Sequence, residues 1–560
     1  MAKVKLPRKY EGLGSRVYLE MQAGLTARAS LQERWSVLER MYRNEHNASG
    51  DQIVEEFESQ HIPLIYPVCR RIIDTVHAAI TSVSPMVMAM DCDHDAGEVT
   101  SKQFDVFFGR AAGQRTLKRA LVPATVNGIG FLYSTFTAEK GFQLNAIPPN
   151  DMFVTPTTVT GLKDAVMVGH RFYVTEQEYK ALVEEGVYYD VGDLPIADPD
   201  KYDSSRSANF DLTSATVATS EIGTPNSTSL YELAQVFWYA DLSSFGKGLE
   251  KGLKWHRITL ATDDQAVLAC EPWPYSRPPY FDVRLWDEEI KFWPASSVAN
   301  NLQGLQNIYT NLVNMLVIGT IASAFPTTII SGAKLTEQVK KLKIGMFLEA
   351  DGPVDVANIP VLFSGQYMPA LIQLVEQVTE KIGAIPQTAT GEQTPTDQTA
   401  TATAYLQSMQ QQAESSYATM VSYPLEDLFT YWHEVSNQHK STILEVYKDA
   451  LLPDFITALE SNPRFEMLGK VATKTPQVQM QMAQMLLSMA QDPRSNLNPQ
   501  EIIKRIVDMM PIDNTDKLYY ENQLQQGGGD AIQPGMEVLQ GGTEQVPPGE
   551  AGSPLQMQAG

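Results

Sequence analysis

Between Tyr367 and Lys440 a short helical pattern, an almost uncharged polar stretch and a much longer helical pattern follow one another. Leu371, Leu374, Val378 and Ile382 recur at three- and four-residue spacing, which predicts a short amphipathic helix stopped by Gly383 and Pro386. Pro386 to Ala404 (PQTATGEQTPTDQTATATA) then holds seven Thr and three Gln but only two charges, Glu392 and Asp397. Leu406, Met409, Ala413, Tyr417, Met420, Leu425, Leu428, Trp432 and Val435 predict a very long helix, kinked at Pro424. A neutral loop slung between two helices suits a surface that touches something without gripping it.

Composition bounds what such a surface can meet. The 560 residues, 43% hydrophobic, are enough for several packed regions. Cys69, Cys92 and Cys270 give no disulfide framework and fit a reducing compartment. The start, MAKVKLPRKYEGLG, has basic residues with no apolar run behind them, unlike a secretory signal. A formal charge of −23 argues against tight wrapping of nucleic acid, which needs Lys and Arg against phosphate, but a negative wall lets DNA slide past.

Leu312 to Ile330 (LVNMLVIGTIASAFPTTII) resembles a membrane span at first sight. Asn314 and Pro326 interrupt it, and the apolar core from Met315 to Phe325 is about half the roughly 20 residues a bilayer requires. It reads better as the end of a long helix from about Ser296, with Leu302, Leu305, Tyr309, Leu312 and Leu316 as a thin apolar stripe. Asn301, Gln303, Asn307, Asn311 and Asn314 lie between them. Such a helix suits packing beside copies of itself; a membrane-associated assembly is the alternative.

Elsewhere the pattern alternates between periods. Ser30 and Glu33 form a candidate capping box ahead of Trp35, Leu38 and Tyr42. Val68, Ile72, Val76, Ile80 and Val83 predict a helix ending at Pro85, and Ser101 to Leu121 predicts a third. Gly130 to Thr137, the turn Glu139-Lys140-Gly141 and Phe142 to Ile147 read as a hairpin. Val166 to Val174, Leu230 to Tyr239, Trp255 to Thr262 and Ala266 to Cys270 read as strands, with a Ser/Thr-rich excursion from Tyr202 to Ser229. Helices are expected from Thr475-Pro476 and Asn498-Pro499, followed by a Gly/Pro/Gln-rich tail from Gln526. The fold class is therefore α+β.

Catalytic patterns are weak. Ser331 and Lys334 match S-x-x-K, a serine-hydrolase pattern that needs the lysine one helical turn from the nucleophile, but no K-T-G accompanies it. Asp91-Cys92-Asp93-His94-Asp95 gathers metal-ligand types, yet adjacent ligands rarely complete a site, and an acidic loop after a helix is the plainer reading. His433 and His439, six apart, do not share a helix face. No phosphate-binding G-x-x-x-x-G-K-[ST] occurs. The expectation is a chain that is not an enzyme and carries neither cofactor nor metal.

The order of weak motifs resembles the portal protein, or head-to-tail connector, of tailed double-stranded DNA bacteriophages. The resemblance spans roughly Leu31 to Tyr520. It rests on YPVCRRIIDTVHAAITSVSP, on NGIGFLYSTF with IPPNDMFVTPT (Pro149, Asp151 and Phe153 as a P-x-D-x-F turn), on SSVANNLQGLQNIYTNLVNMLVIG before Pro326, and on TATATAYLQSMQQQAES.

That resemblance implies an N-terminal segment and mixed wing over 1–295, a first stem helix over 296–325, an α/β clip over 326–366 and a second stem helix over 367–385. A tunnel loop over 386–404, a long helix returning to the wing over 405–474, a helical crown over 475–525 and a disordered tail over 526–560 complete it. Gln387, Thr388, Thr390, Glu392, Gln393, Thr394, Thr396, Asp397 and Gln398 would face DNA in the channel. Lys334, Lys340, Lys341 and Lys343 would dock partners at the clip, unless they are an ordinary solvated face. Leu302, Leu305, Tyr309, Leu312 and Leu316 would pack the stem. The implied partners are eleven further copies in a ring, passing double-stranded DNA, terminase, a tail adaptor, and the major capsid and scaffolding proteins. The implied place is the capsid vertex of a virion, short-tailed by overall resemblance and assembled in the host cytoplasm. No long C-terminal helical barrel is expected, and 202–229 has no counterpart in the family.

Overall fold

Apolar residues at helical spacing produce the first helices. α1 (Leu13–Ala27) buries Leu13, Val17 and Met21, and α2 (Ala29–Arg43) buries Trp35, Leu38 and Met41. α3 (Val68–Thr81) follows the stripe Val68, Ile72, Val76 and Ile80. The computed structural model describes residues 7, 10, 12–45, 67–81, 86–192, 194–196, 230–245, 249, 251–286, 291–294, 296–324, 328–331, 334–335, 350–351, 355–358, 370–373, 375 and 400–468. All lie in the unit Met1–Gln479. The excursion from Tyr202 to Ser229, the crown and the tail fall outside the described residues.

The expected capping box at Ser30 and Glu33 does not form, because α2 already starts at Ala29 and Ser30 is inside it. Its N-cap position is Arg28, whose side chain is engaged elsewhere. A box of that kind, Thr175 with Glu178, instead starts a later helix, α6 (Glu176–Glu184).

β1 (Met86–Met90) leads through the exposed turn at Asp91 and Asp93 into α4 (His94–Arg110), and α5 (Gly113–Val126) follows. The acidic segment thus lies between a strand and a helix rather than after a helix. The single helix expected over Ser101 to Leu121 is two helices. Ala112 takes a left-handed conformation (φ 51°), and a side chain on Gly113 would lie 2.4 Å from the Phe108 ring. The break lets Phe104, Phe107 and Phe108 share one core with Leu117 and Leu121.

The hairpin forms where the sequence places it: β2 (Gly130–Thr137) pairs antiparallel with β3 (Gly141–Ile147), Phe136 opposite Phe142. β4 (Met152–Thr155), β5 (Met167–Thr175), β6 (Leu230–Ala240), β7 (Lys254–Ala261) and β8 (Ala266–Pro272) make a five-stranded antiparallel sheet in that order. β9 (Tyr280–Val283) joins β2 at the edge opposite β3. β6 is apolar at most positions because both sheet faces are covered, as a two-sided strand requires. Ala234, Val236 and Trp238 pack with Val17 and Met21 of α1, whereas Phe237 packs with Phe131, Tyr280 and Trp293. α6 covers a further patch through Tyr179 and Val183 against Tyr231 and Leu233.

Two arginines fix the turn before β4. Arg28, buried between α1 and α2, donates to the carbonyls of Pro149 and Asn150. Arg171 donates to Asn150 O at 3.1 Å, and its guanidinium lies 3.4 Å from Glu232 and 3.9 Å from Asp151. Burial, with Arg171 nearby, lowers the Arg28 pKa to about 9, which leaves it cationic at neutral pH. The P-x-D-x-F turn is thus a buried structural joint: Phe153 enters the core beneath α1.

The remaining elements are α7 (Val298–Ala324), β10 (Thr328–Ser331), β11 (Lys334–Leu335), β12 (Ala350–Asp351), β13 (Asp355–Asn358), α8 (Ala400–Gln438), α9 (Lys440–Val446), α10 (Phe455–Ala458) and β14 (Arg464–Leu468). β14 pairs with β1. The fold is mixed helix and sheet.

Candidate functional site

α7 is divided along its length. Leu302 and Tyr309 are buried, and Leu305 packs against the same core, where α7 meets α2, α3 and α5. Gln306 is buried too; its Oε1 accepts from the Cys69 backbone N–H at 2.9 Å, and its Nε2 donates to Thr310 Oγ1 at 3.1 Å. Further along, Leu312 and Leu316 are only half-buried. Ile308 and Met315, seven residues apart and so on one face, are 50% and 46% exposed. The five residues of the sequence stripe therefore divide: the first three pack within the chain, and the last two lie nearer an unpartnered apolar face. Ile308 and Met315 were missed, and their seven-residue spacing was the available signal.

The chain leaves α7 and returns through small antiparallel pairs. Thr328 to Ser331 pairs with Asp355 to Asn358, and Lys334 and Leu335 pair with Asp351 and Ala350. Two nested pairings of this kind bring the ends of the excursion together, Thr328 opposite Asn358. Lys334 lies on β11; Lys340, Lys341 and Lys343 are outside the described residues. Ser331 ends one strand and Lys334 begins another, so the two are not one helical turn apart as S-x-x-K chemistry needs.

Residues 370–373 and 375 are helical. Ile372 and Val375 pack on the main core, while Leu371, part of the sequence stripe, is 43% exposed. The core-facing positions here are thus Ile372 and Val375. Of the loop, Gln387, Thr388, Thr390, Glu392, Gln393, Thr394, Thr396, Asp397 and Gln398 all lie outside the described residues. Helix begins at Ala400, four residues before the expected end of the loop, since Ala and Thr alternating with no breaker offer nothing to delay it.

α8 continues without a break through Pro424. Its second half is fastened to the sheets. Val421, Leu425, Leu428, Phe429, Trp432 and Val435 enter the core. Trp432 Nε1 donates to Ser134 Oγ at 2.8 Å, and Glu434 accepts from Ser276 N at 2.8 Å and Oγ at 2.6 Å. Asp427 lies 2.8 Å from Lys163 Nζ and 3.1 Å from Arg277. His439 and the Tyr275 hydroxyl share a hydrogen bond at 2.9 Å. Burial between Phe104 and Phe465 lowers the His433 pKa, keeping that ring neutral. These histidines serve packing and fastening rather than coordination.

Burial pushes the Cys69 thiol up to about 12, so it is no nucleophile at neutral pH. Among the described residues, no three His, Cys, Asp or Glu are grouped to hold a metal ion. Among them too, no helix is long and apolar enough to cross a membrane.

What the geometry assembles is a helix, a β excursion, helical residues at 370–373 and 375, and a long helix fastened to a mixed helix-and-sheet region. A comparison with curated proteins finds no match. A family model described as the phage SU10 portal protein matches residues 85–559, most of the chain and all of these elements from β1 onward. The chain therefore belongs to the phage SU10 portal protein family, a structural family of the virion capsid.

Proposed function

We propose that this portal protein forms a ring of twelve copies at one capsid vertex, lining the channel through which DNA is packaged and ejected. The observation that carries the reading is the β excursion closed at its base between α7 and the helical residues 370–373 and 375. Such an excursion would project from a helical stalk and suit docking of terminase and later a tail adaptor. Lys334, Lys340, Lys341 and Lys343 form a basic cluster within an otherwise acidic element, balanced across the whole excursion by Glu337, Glu349, Asp351 and Asp355, so an acidic partner surface fits that cluster. The capsid and scaffolding proteins would meet the wing, and assembly would take place in the host cytoplasm.

The expected tunnel loop, 386–404, runs into α8, whose far half is held to the rest of the fold by Asp427, Trp432 and Glu434. A loop so rooted, with hydroxyls and amides but no cation, offers DNA short-lived contacts; each fixed cation would add a phosphate well that slows passage. The residues Leu312 and Leu316, with Ile308 and Met315, would pack the stem between copies, whereas Leu302, Leu305 and Tyr309 hold it to its own wing. Deleting Gln387 to Gln398 tests the reading. The expected variant forms rings and enters particles but packages or retains little DNA; normal packaging by it would remove the loop from the mechanism.

A further inference from the structure

The outer face of α5 carries Arg115, Lys118 and Arg119 at i, i+3 and i+4, all exposed. The helix (GQRTLKRALVPATV) holds no acidic residue, and among the described residues none of the three cations has an ion-pair partner. The helix end they occupy is the wrong one for stability. Arg115 sits in the first turn, where the backbone already presents partial positive charge, and the N-cap Ala112 provides no side-chain acceptor. Three cations gathered there suit an anionic surface arriving from outside.

α4, 17 residues and so about 25 Å long, separates the start of α5 from an exposed acidic segment, Asp91 and Asp93 in the turn before α4 and Asp95 in its first turn. These three carboxylates likewise have no ion-pair partner among the described residues. One helical pair thus presents opposite charges at its two ends. Copies carrying −23 each repel one another, and a head-to-tail contact that closes into a ring needs two different, complementary patches on each copy. α5 also packs on α7, the helix that exposes Ile308 and Met315.

We propose that Arg115, Lys118 and Arg119 of one copy dock on Asp91, Asp93 and Asp95 at the start of α4 in the next copy of the ring. The inference rests on the ring proposed above. The test is mass photometry of the full chain at low and high salt, with circular dichroism to show that each variant is folded. R115E/K118E/R119E and D91K/D93K/D95K are each expected to reduce the ring fraction at low salt at least about tenfold, and the six-fold combined swap to restore it to within about twofold. Milder R115Q/K118Q/R119Q should fall in between, and wild-type rings should loosen as salt rises. If the wild type forms no ring even with the scaffolding protein present, the ring reading fails and this pairing with it. If the wild type forms rings and the reversed variants do so equally well, the pairing is wrong while the ring stands. Should those variants then also lose binding to a short fluorescent DNA duplex, the face belongs to DNA. Reversals that weaken the ring without rescue by the combined swap would overturn the Asp91–Asp95 assignment.

Discussion

Glu39 offers a quantitative test of the core on which α7 rests. It lies on α2, 2% exposed, and accepts from Asn127 Nδ2 at 2.7 Å. Its Oε2 and the Asn127 Oδ1 have no hydrogen-bond partner, which a protonated carboxyl donating back to that amide oxygen would satisfy. Burial raises its pKa from 4.5 to about 7, offset in part by Asn127 and Arg43. The folded state therefore holds a proton that the unfolded chain releases. Its contribution is fully present below pH 4.5 and is lost as pH rises through 7. Those two pKa values imply a loss of about 2.5 kcal/mol between pH 5 and pH 8, since each pKa unit is worth about 1.4 kcal/mol. Glu39→Gln keeps the shape and supplies an N–H for the Asn127 oxygen, without titrating. Urea unfolding followed by tryptophan fluorescence should show wild type and E39Q similar at pH 5, with E39Q more stable by about 2–3 kcal/mol at pH 8. Equal pH dependence in the two proteins would refute a protonated Glu39.

Four further variants have stated outcomes. Tyr447→Phe leaves the buried Phe142 N–H, which donates to the tyrosine hydroxyl at 2.8 Å, without a partner, and should cost about 1–3 kcal/mol in unfolding free energy. Leu302→Ala should cost about 2–5 kcal/mol in the same assay, whereas Met315→Asp should change monomer stability by less than about 0.5 kcal/mol yet weaken ring formation measured by mass photometry. Replacing Lys334, Lys340, Lys341 and Lys343 together by Glu should leave rings intact and reduce binding to the purified packaging motor in pull-down; undiminished binding would return those lysines to a solvated face.

What the sequence made legible was local. The β2–β3 hairpin and β5 to β8 follow from short-range alternation and from turns such as Glu139-Lys140-Gly141. β1 and β14 were not seen, because Met86 meets Leu468 across nearly the whole described chain, β1 (MVMAM) does not alternate and β14 (RFEML) alternates over only four residues. The break between α4 and α5 escaped because Ala112, not a glycine, takes the left-handed conformation. The arginine joint at Pro149 to Asp151 was invisible for the same reason as β1: Arg28 and Arg171 reach it only through tertiary packing. Of the candidate site, the α7 stripe was legible as a period of three and four. Which of its members face the chain's own wing was not, since that depends on α2, α3 and α5. The tunnel-loop residues and the last three clip lysines rest on sequence and resemblance.

Electron microscopy of the purified chain, with class averages viewed down the particle axis, bears on the ring itself. Closed particles of about twelve copies around a central hole are the predicted result, from the heterologous contacts a portal must make. Monomers or compact oligomers without a hole, persisting at low salt and in the presence of the scaffolding protein, would contradict it.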